Sequence, residues 1–162
     1  MNELFRSIPQ VGCVDWIGLR PARNVPMDVV ESATIDSEQG LVGDRYSGGA
    51  TGQRMVTLIQ AEHIELMSKL LKRDQIDPSL LRRNIVVSGV NLLAFHALKK
   101  EELELQVGQA ILKCTGHCHP CSQMEKALGP GGYASMRGHG GITATVVQGG
   151  LVNLGDEVKL VS

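Results

Sequence analysis

The chain is short of charge of one sign, short of aromatic rings and short of long apolar runs, and each shortage removes a class of function. Its 16 basic and 17 acidic residues leave a formal net charge of −1, so there is no bulk charge to recruit nucleic acid or an anionic membrane surface. Aromatic residues make up 3% of the sequence, too few for base-stacking surfaces or carbohydrate platforms. No segment approaches the roughly 20 consecutive apolar residues that span a bilayer. The opening Met1-Asn2-Glu3-Leu4-Phe5-Arg6-Ser7 lacks the basic patch and apolar run of a secretory signal. The cytoplasm is therefore the expected compartment.

What is present is glycine. Nineteen of 162 residues are Gly, which implies many tight turns and bulges in a compact β-rich chain. The length suits one domain over residues 1–162, without a strict repeat, a low-complexity tail or a linker. Apolar and β-branched runs predict strands over residues 11–20, 29–35, 54–59, 84–87, 103–107, 110–115, 142–147 and 156–161. Ile64, Met67, Leu70 and Leu71 recur at three- and four-residue spacing and predict a helix from Ala61 to Lys72. Asp77-Pro78-Ser79 predicts a short helical turn ending at Arg82-Arg83. Pro120 is expected as the first residue of a second helix reaching Leu128. Seven or eight short strands with few helices, not alternating as βαβ units, point to a mainly β fold. The expected form is a closed or nearly closed β-barrel with a few peripheral helices.

Three of the four cysteines, Cys114, Cys118 and Cys121, fall within eight residues, a clustering that suits metal or thiol chemistry better than a disulfide framework. Their Cys-x3-Cys-x2-Cys spacing matches the cluster motif of radical S-adenosylmethionine enzymes. Those enzymes place it early, in a large βα-repeating barrel that this chain does not predict. A structural zinc site on Cys114, Cys118 and Cys121 with His117 or His119 is a second reading, because thiolate and imidazole are the ligands zinc prefers. In a third, Cys121 sits in the first turn of the helix opened by Pro120, where free amides favour thiolate. It then serves as a nucleophile, a sulfur carrier or a soft-metal ligand. A buried structural cysteine is the plain alternative.

Cationic groups accompany that thiol. Gly43-Asp44-Arg45 lies in a glycine-rich stretch that runs on through Ser47-Gly48-Gly49-Ala50-Thr51-Gly52; Arg54 lies on the next expected strand, and Arg82-Arg83-Asn84 comes before another. Guanidinium forks bind phosphate in a bidentate manner, and glycine lets the backbone approach an anion closely. Each arginine taken alone reads equally well as a solvated surface group.

The ordered set Gly40-Leu41-Val42-Gly43-Asp44-Arg45, Arg82-Arg83-Asn84-Ile85-Val86-Val87-Ser88-Gly89, Val107-Gly108, Pro120-Cys121 and Leu154-Gly155-Asp156 resembles the MOSC domain, named for the C-terminal part of molybdenum-cofactor sulfurases. The match runs from about Val11 to Val161. The resemblance implies a β-rich barrel that binds a molybdopterin-type molybdenum cofactor. It places Cys121 on the family's molybdenum-ligating or sulfur-carrying cysteine, Arg82 and Asn84 on an Arg-x-Asn motif lining the cofactor, and Arg45 and Arg54 on cofactor-facing positions. Neither Cys114 nor Cys118 belongs to the pattern. The implied activities are reduction of N-hydroxylated small molecules, with a partner delivering electrons, or carriage of sulfur, with a cysteine desulfurase delivering it. No pyridoxal phosphate site is evident.

Overall fold

A computed structural model of the chain describes residues 2–46, 52–96 and 103–161. The expected glycine-rich loop at Ser47–Thr51 lies outside them. After a short helix α1 (Asn2–Arg6), the described chain forms eleven strands: β1 (Gly12–Leu19), β2 (Asp28–Val30), β3 (Ser32–Asp36), β4 (Gly40–Leu41), β5 (Val56–Gln60), β6 (Ile85–Ser88), β7 (Glu104–Val107), β8 (Ala110–His117), β9 (Ile142–Gln148), β10 (Gly150–Asn153) and β11 (Glu157–Leu160). Between them lie α2 (Ala61–Leu70), α3 (Ser122–Leu128) and α4 (Gly132–Met136).

Seven strands pair in the order β11-β7-β8-β9-β5-β6-β1, and a further pairing of β11 with β1 closes the ring. Closure leaves no free edge in the ring. The fold is thus the expected mainly β closed barrel, with β2 appended to β1 and a separate three-stranded sheet of β10, β3 and β4 beside it. The single strand expected over 29–35 is two, because the chain bends at Glu31 to leave β1 for the small sheet.

Every pairing within the ring is antiparallel except one. Strands β5 and β6 run parallel, Leu58 opposite Ile85 and Gln60 opposite Val87, so the chain between them must cross over, and α2 makes the crossover. Such a pair needs cover on both faces, and all five residues of β5 are buried. Val56 and Leu58 join Ile85, Val87, Leu105, Leu112 and Phe95 inside the barrel. The intervening Ile59 and Val86 point outward to a second cluster with Met67, Leu81, Met124, Leu128 and Met136. The period-2 alternation of strands thus divides β5 and β6 between two cores.

Helix α2 meets this outer cluster through Ile64 and Met67, as its periodicity predicts, but Leu70 is exposed and the helix closes at Leu71. Helices α3 and α4 cover the same face. Among the described residues, no helix is long and apolar enough to cross a membrane.

The parallel pair positions the site. Residues that precede β5 and β6 must emerge at the same end of the barrel, which brings Arg54 and Arg82–Asn84 together. Strand β1 runs antiparallel to β6, so its exit at Leu19-Arg20 reaches that end too.

An arginine-lined cleft with an exposed thiol

Asp44 organises this end. Its carboxylate has no exposed surface and forms an ion pair with Arg20 at 2.8 Å. It accepts from the Arg20 backbone N–H at 2.7 Å, Arg20 Nε at 3.1 Å, the Tyr46 N–H at 3.2 Å and Asn84 Nδ2 at 3.0 Å. Burial alone would push this carboxyl up, but the Arg20 hydrogen bonds and charge, with the Tyr46 N–H, outweigh it and hold Asp44 below the usual carboxylate range. The pair fastens the loop carrying Arg45 to the exit of β1, where the Arg45 N–H also donates to the Arg20 carbonyl.

Asn84 is wholly buried. Its Oδ1 accepts from the Thr57 N–H and hydroxyl, and its Nδ2 donates to the Gly18 carbonyl and to Asp44. With its amide committed on both sides, Asn84 lies beneath the cleft and holds Asp44; it does not line the cavity.

Arg82 and Arg83 part company because Arg82 adopts a left-handed backbone, φ 61°, a conformation uncommon for a residue with a Cβ and often tied to function. Arg82 turns outward, where its guanidinium donates to the carbonyls of Val25 and Ala22. Arg83 turns inward and is 7% exposed. It donates to the carbonyls of Gly140 at 2.9 Å, Leu81 at 3.0 Å, Cys118 at 2.8 Å and His119 at 3.4 Å. Burial lowers the Arg83 pKa, and the Arg54 charge adds to it, while Cys118 and Cys121 pull the other way. Arg82 is lowered as well, by burial first and then by Arg20 and Arg45.

The Cys121 segment follows β8 and is drawn across by those Arg83 bonds. Helix α3 begins at Ser122, so Pro120 is not its first residue. Cys121 is the flanking cap residue, with extended backbone and no capping hydrogen bond from its side chain. The Cys121 thiol is exposed, whereas Cys114 and Cys118 are buried. Cys114 faces the barrel core, its pKa raised by burial. Among the described residues, no three His, Cys, Asp or Glu side chains are arranged to hold a metal ion, so the three cysteines do not form the zinc cluster their spacing permits.

The resulting cleft encloses about 290 Å³ and is lined by Arg20, Arg23, Arg45, Arg54, Arg82 and Arg83 together with Thr57, Cys118, His119 and Cys121. Cys121, Arg45, Arg54 and Arg82 thus meet in one cavity although four separate stretches supply them. Sequence reasoning missed Arg20 and Arg23 as lining residues. The signal was there in Leu19-Arg20-Pro21-Ala22-Arg23, two arginines about a proline at the end of a strand. Chemically, an arginine-lined cavity reached by one exposed thiol can receive a phosphate-bearing ligand with a soft, sulfur-seeking centre.

The sequence profile of the MOSC domain matches residues 38–159. The chain belongs to the MOSC-domain family. A comparison with curated proteins returned no match. Among solved structures, this MOSC domain resembles the YuaD protein of Bacillus subtilis (TM-score 0.76, 19% identity, covering 93% of this chain and 95% of that one). It also resembles YiiM of Geobacillus stearothermophilus (TM-score 0.71, 14% identity, 93% and 75% coverage) and YiiM of Escherichia coli (TM-score 0.66, 16% identity, 93% and 70% coverage). At these identities the likeness concerns the fold of the MOSC domain, and the chemistry rests on the cleft itself.

Proposed function

We propose that the cleft binds molybdenum cofactor, with its phosphate on Arg45, Arg54 and Arg82 and the Cys121 sulfur on the metal. The reaction served is reduction of N-hydroxylated small molecules. The observation that carries this reading is the arrival of an exposed thiol at an arginine-lined cavity built from separate segments. The donor set fits the group. Thiolate is a suitable soft ligand, and the guanidinium forks match a phosphate. The buried Asp44 carboxylate is tied to Arg20 and Asn84 and does not oppose an anion. When bound, the cofactor supplies the metal-centred two-electron redox chemistry of the reaction.

The chain's own residues have distinct parts in this scheme. Arg45, Arg54 and Arg82 bind and orient the anionic end, Arg83 fixes the backbone that carries the thiol, and Asp44 with Asn84 fixes the loop of Arg45. Electrons come from a partner protein. Protein purified from a molybdenum-replete, cofactor-competent host is expected to carry molybdenum, and Cys121→Ser is expected to lose most of it while keeping its fold. Folded wild-type protein persistently free of molybdenum refutes the reading.

The exposure of Cys121 also favours a second role, as a persulfide carrier loaded by a cysteine desulfurase, because such a donor needs a reachable thiol. Intact mass after incubation with a desulfurase would then rise by one sulfur, at Cys121 and not in Cys121→Ala. Wild type that gains no sulfur removes this role.

A further inference from the structure

The cleft presents two thiols. Cys118 and Cys121 both line it, in the run Cys118-His119-Pro120-Cys121. Their settings differ: Cys121 is exposed, whereas Cys118 is only 3% exposed and lies with its Sγ 3.8 Å from Arg54 Nη2. The backbone between them is bent. A single nitrogen, Arg83 Nη2, takes both the Cys118 carbonyl at 2.8 Å and the His119 carbonyl at 3.4 Å. In an extended chain successive groups point to opposite sides, so two consecutive carbonyls on one nitrogen require a turn. That turn shortens the path between the cysteines. Three residues fully extended reach about 10 Å, and a disulfide needs Cα atoms roughly 4.4–6.8 Å apart.

We propose that Cys118 is the resolving thiol of Cys121, and that the pair exchanges with low-molecular-weight disulfides of the glutathione class. In the first step the Cys121 thiolate attacks one sulfur of the small disulfide. A Cys121–S–S–R bond forms, the R–S–S–R bond breaks and one thiolate R–S⁻ leaves. In the second, the Cys118 thiolate attacks Cys121 Sγ, the Cys118–Cys121 bond forms and the second R–S⁻ leaves. Two electrons pass from the protein to the small disulfide, which is the oxidant, and each protein thiol has given up its proton to solvent. The order of attack follows from access: of the two cleft thiols Cys121 is exposed and can meet a solute, whereas Cys118 is buried behind it. An accessible thiol beside a sheltered partner is the usual arrangement of thiol redox pairs. Arg54 and Arg83 add positive charge where negative charge spreads over the sulfurs during exchange. Cys114, aimed into the barrel core, takes no part. The oxidised pair no longer offers the Cys121 sulfur as ligand or nucleophile, so the exchange makes a reversible off state of the cleft.

The test uses the full chain carrying Cys13→Ser, since Cys13 is the other partly accessible thiol. Reduced protein is incubated with oxidised glutathione, then read by free-thiol titration, intact mass and fragmentation of the tryptic peptide Cys114–Lys126, which holds all three remaining cysteines. The expected product has lost two thiols and two hydrogens, retains no glutathionyl group, and carries an alkylatable Cys114 beside joined Cys118 and Cys121. Adding Cys118→Ala is expected to leave one stable glutathionyl group on Cys121 and a loss of one thiol. A stable glutathionyl group on Cys121 while Cys118 is present overturns the proposal, as do a bond to Cys114 and a failure to react. The peptide map of protein retaining Cys118 decides the matter even if Cys118→Ala does not fold.

Discussion

Replacing Asp44 by asparagine tests how the arginine cleft is held. Asparagine keeps Oδ1 and its donors, the Arg20 N–H, Arg20 Nε and Asn84 Nδ2, but sets an NH2 group against Arg20 Nη2 and the Tyr46 N–H, which now reach Oδ2. One charge-assisted bond worth about 1.5–3 kcal/mol and one ordinary bond worth about 0.5–1.5 kcal/mol are lost. Breaking a fully buried pair costs about 3–5 kcal/mol. The Arg20 side chain retains 19% exposure, so water takes up part of its stranded charge, and the expected loss is about 2–4 kcal/mol. In a chain of this size that lowers Tm by roughly 5–15 °C. Urea unfolding of both proteins near neutral pH measures it, and a difference under about 1 kcal/mol refutes the reasoning. Acid supplies a second arm. Because folding lowers the Asp44 pKa, its stabilisation is full above the unfolded value of about 3.9 and disappears as pH falls through the lower folded value. The gap between wild type and Asp44→Asn should therefore close below about pH 4; a gap that stays constant there shows that Asp44 does not work through its charge.

Arg83→Met strands four carbonyls and relieves one buried charge; a net loss of about 2–4 kcal/mol is expected, with faster amide exchange over residues 118–121, and unchanged exchange would refute the anchoring role. Gly141→Ala combines a φ of 89° with a Cβ that would run into the Leu58 carbonyl, whereas Gly138 has a φ of 81° and open space around it. Thermal denaturation should show Gly138→Ala losing about 1 kcal/mol and Gly141→Ala clearly more; equal losses would mean that close approach to β5 is irrelevant. Arg45→Ala and Arg54→Ala should each weaken orthophosphate binding about tenfold or more, read by calorimetry, and no change in either would place the anion elsewhere.

The barrel was largely legible because its strands are long enough to show alternation and are bounded by turn residues, as β1, β8 and β9 illustrate. The two-residue β4 was not, since two positions hold no period, and β10 was not, since Gly149-Gly150 and Gly155 about it read as turns between strands. Helix α4 was missed because Gly129–Gly132 reads as a stop, and only the tertiary cover over Met136 makes the next turn helical. Within the site, residue types and their order pointed to Cys121, Arg45, Arg54 and Arg82. Side-chain aim was not legible: the left-handed Arg82 sends neighbouring arginines opposite ways, and the buried partners of Asn84 turn it from the cavity. The start of α3 at Ser122 likewise depends on the backbone bend that Arg83 holds, which lies 35 residues away in sequence.

Charge at the cleft has a long-range consequence. Six arginines line it against the single carboxylate of Asp44, an excess of five positive charges, so the rest of a chain of net charge −1 carries six more acidic groups than basic ones. The molecule is thus strongly polarised, although its total charge is almost nil. A small anion diffusing nearby is drawn toward one end and repelled from the remainder, so encounters concentrate at the Cys121 mouth before any contact is made. Added salt shortens that reach to about 8 Å at physiological strength, and capture should slow accordingly while the release rate changes little.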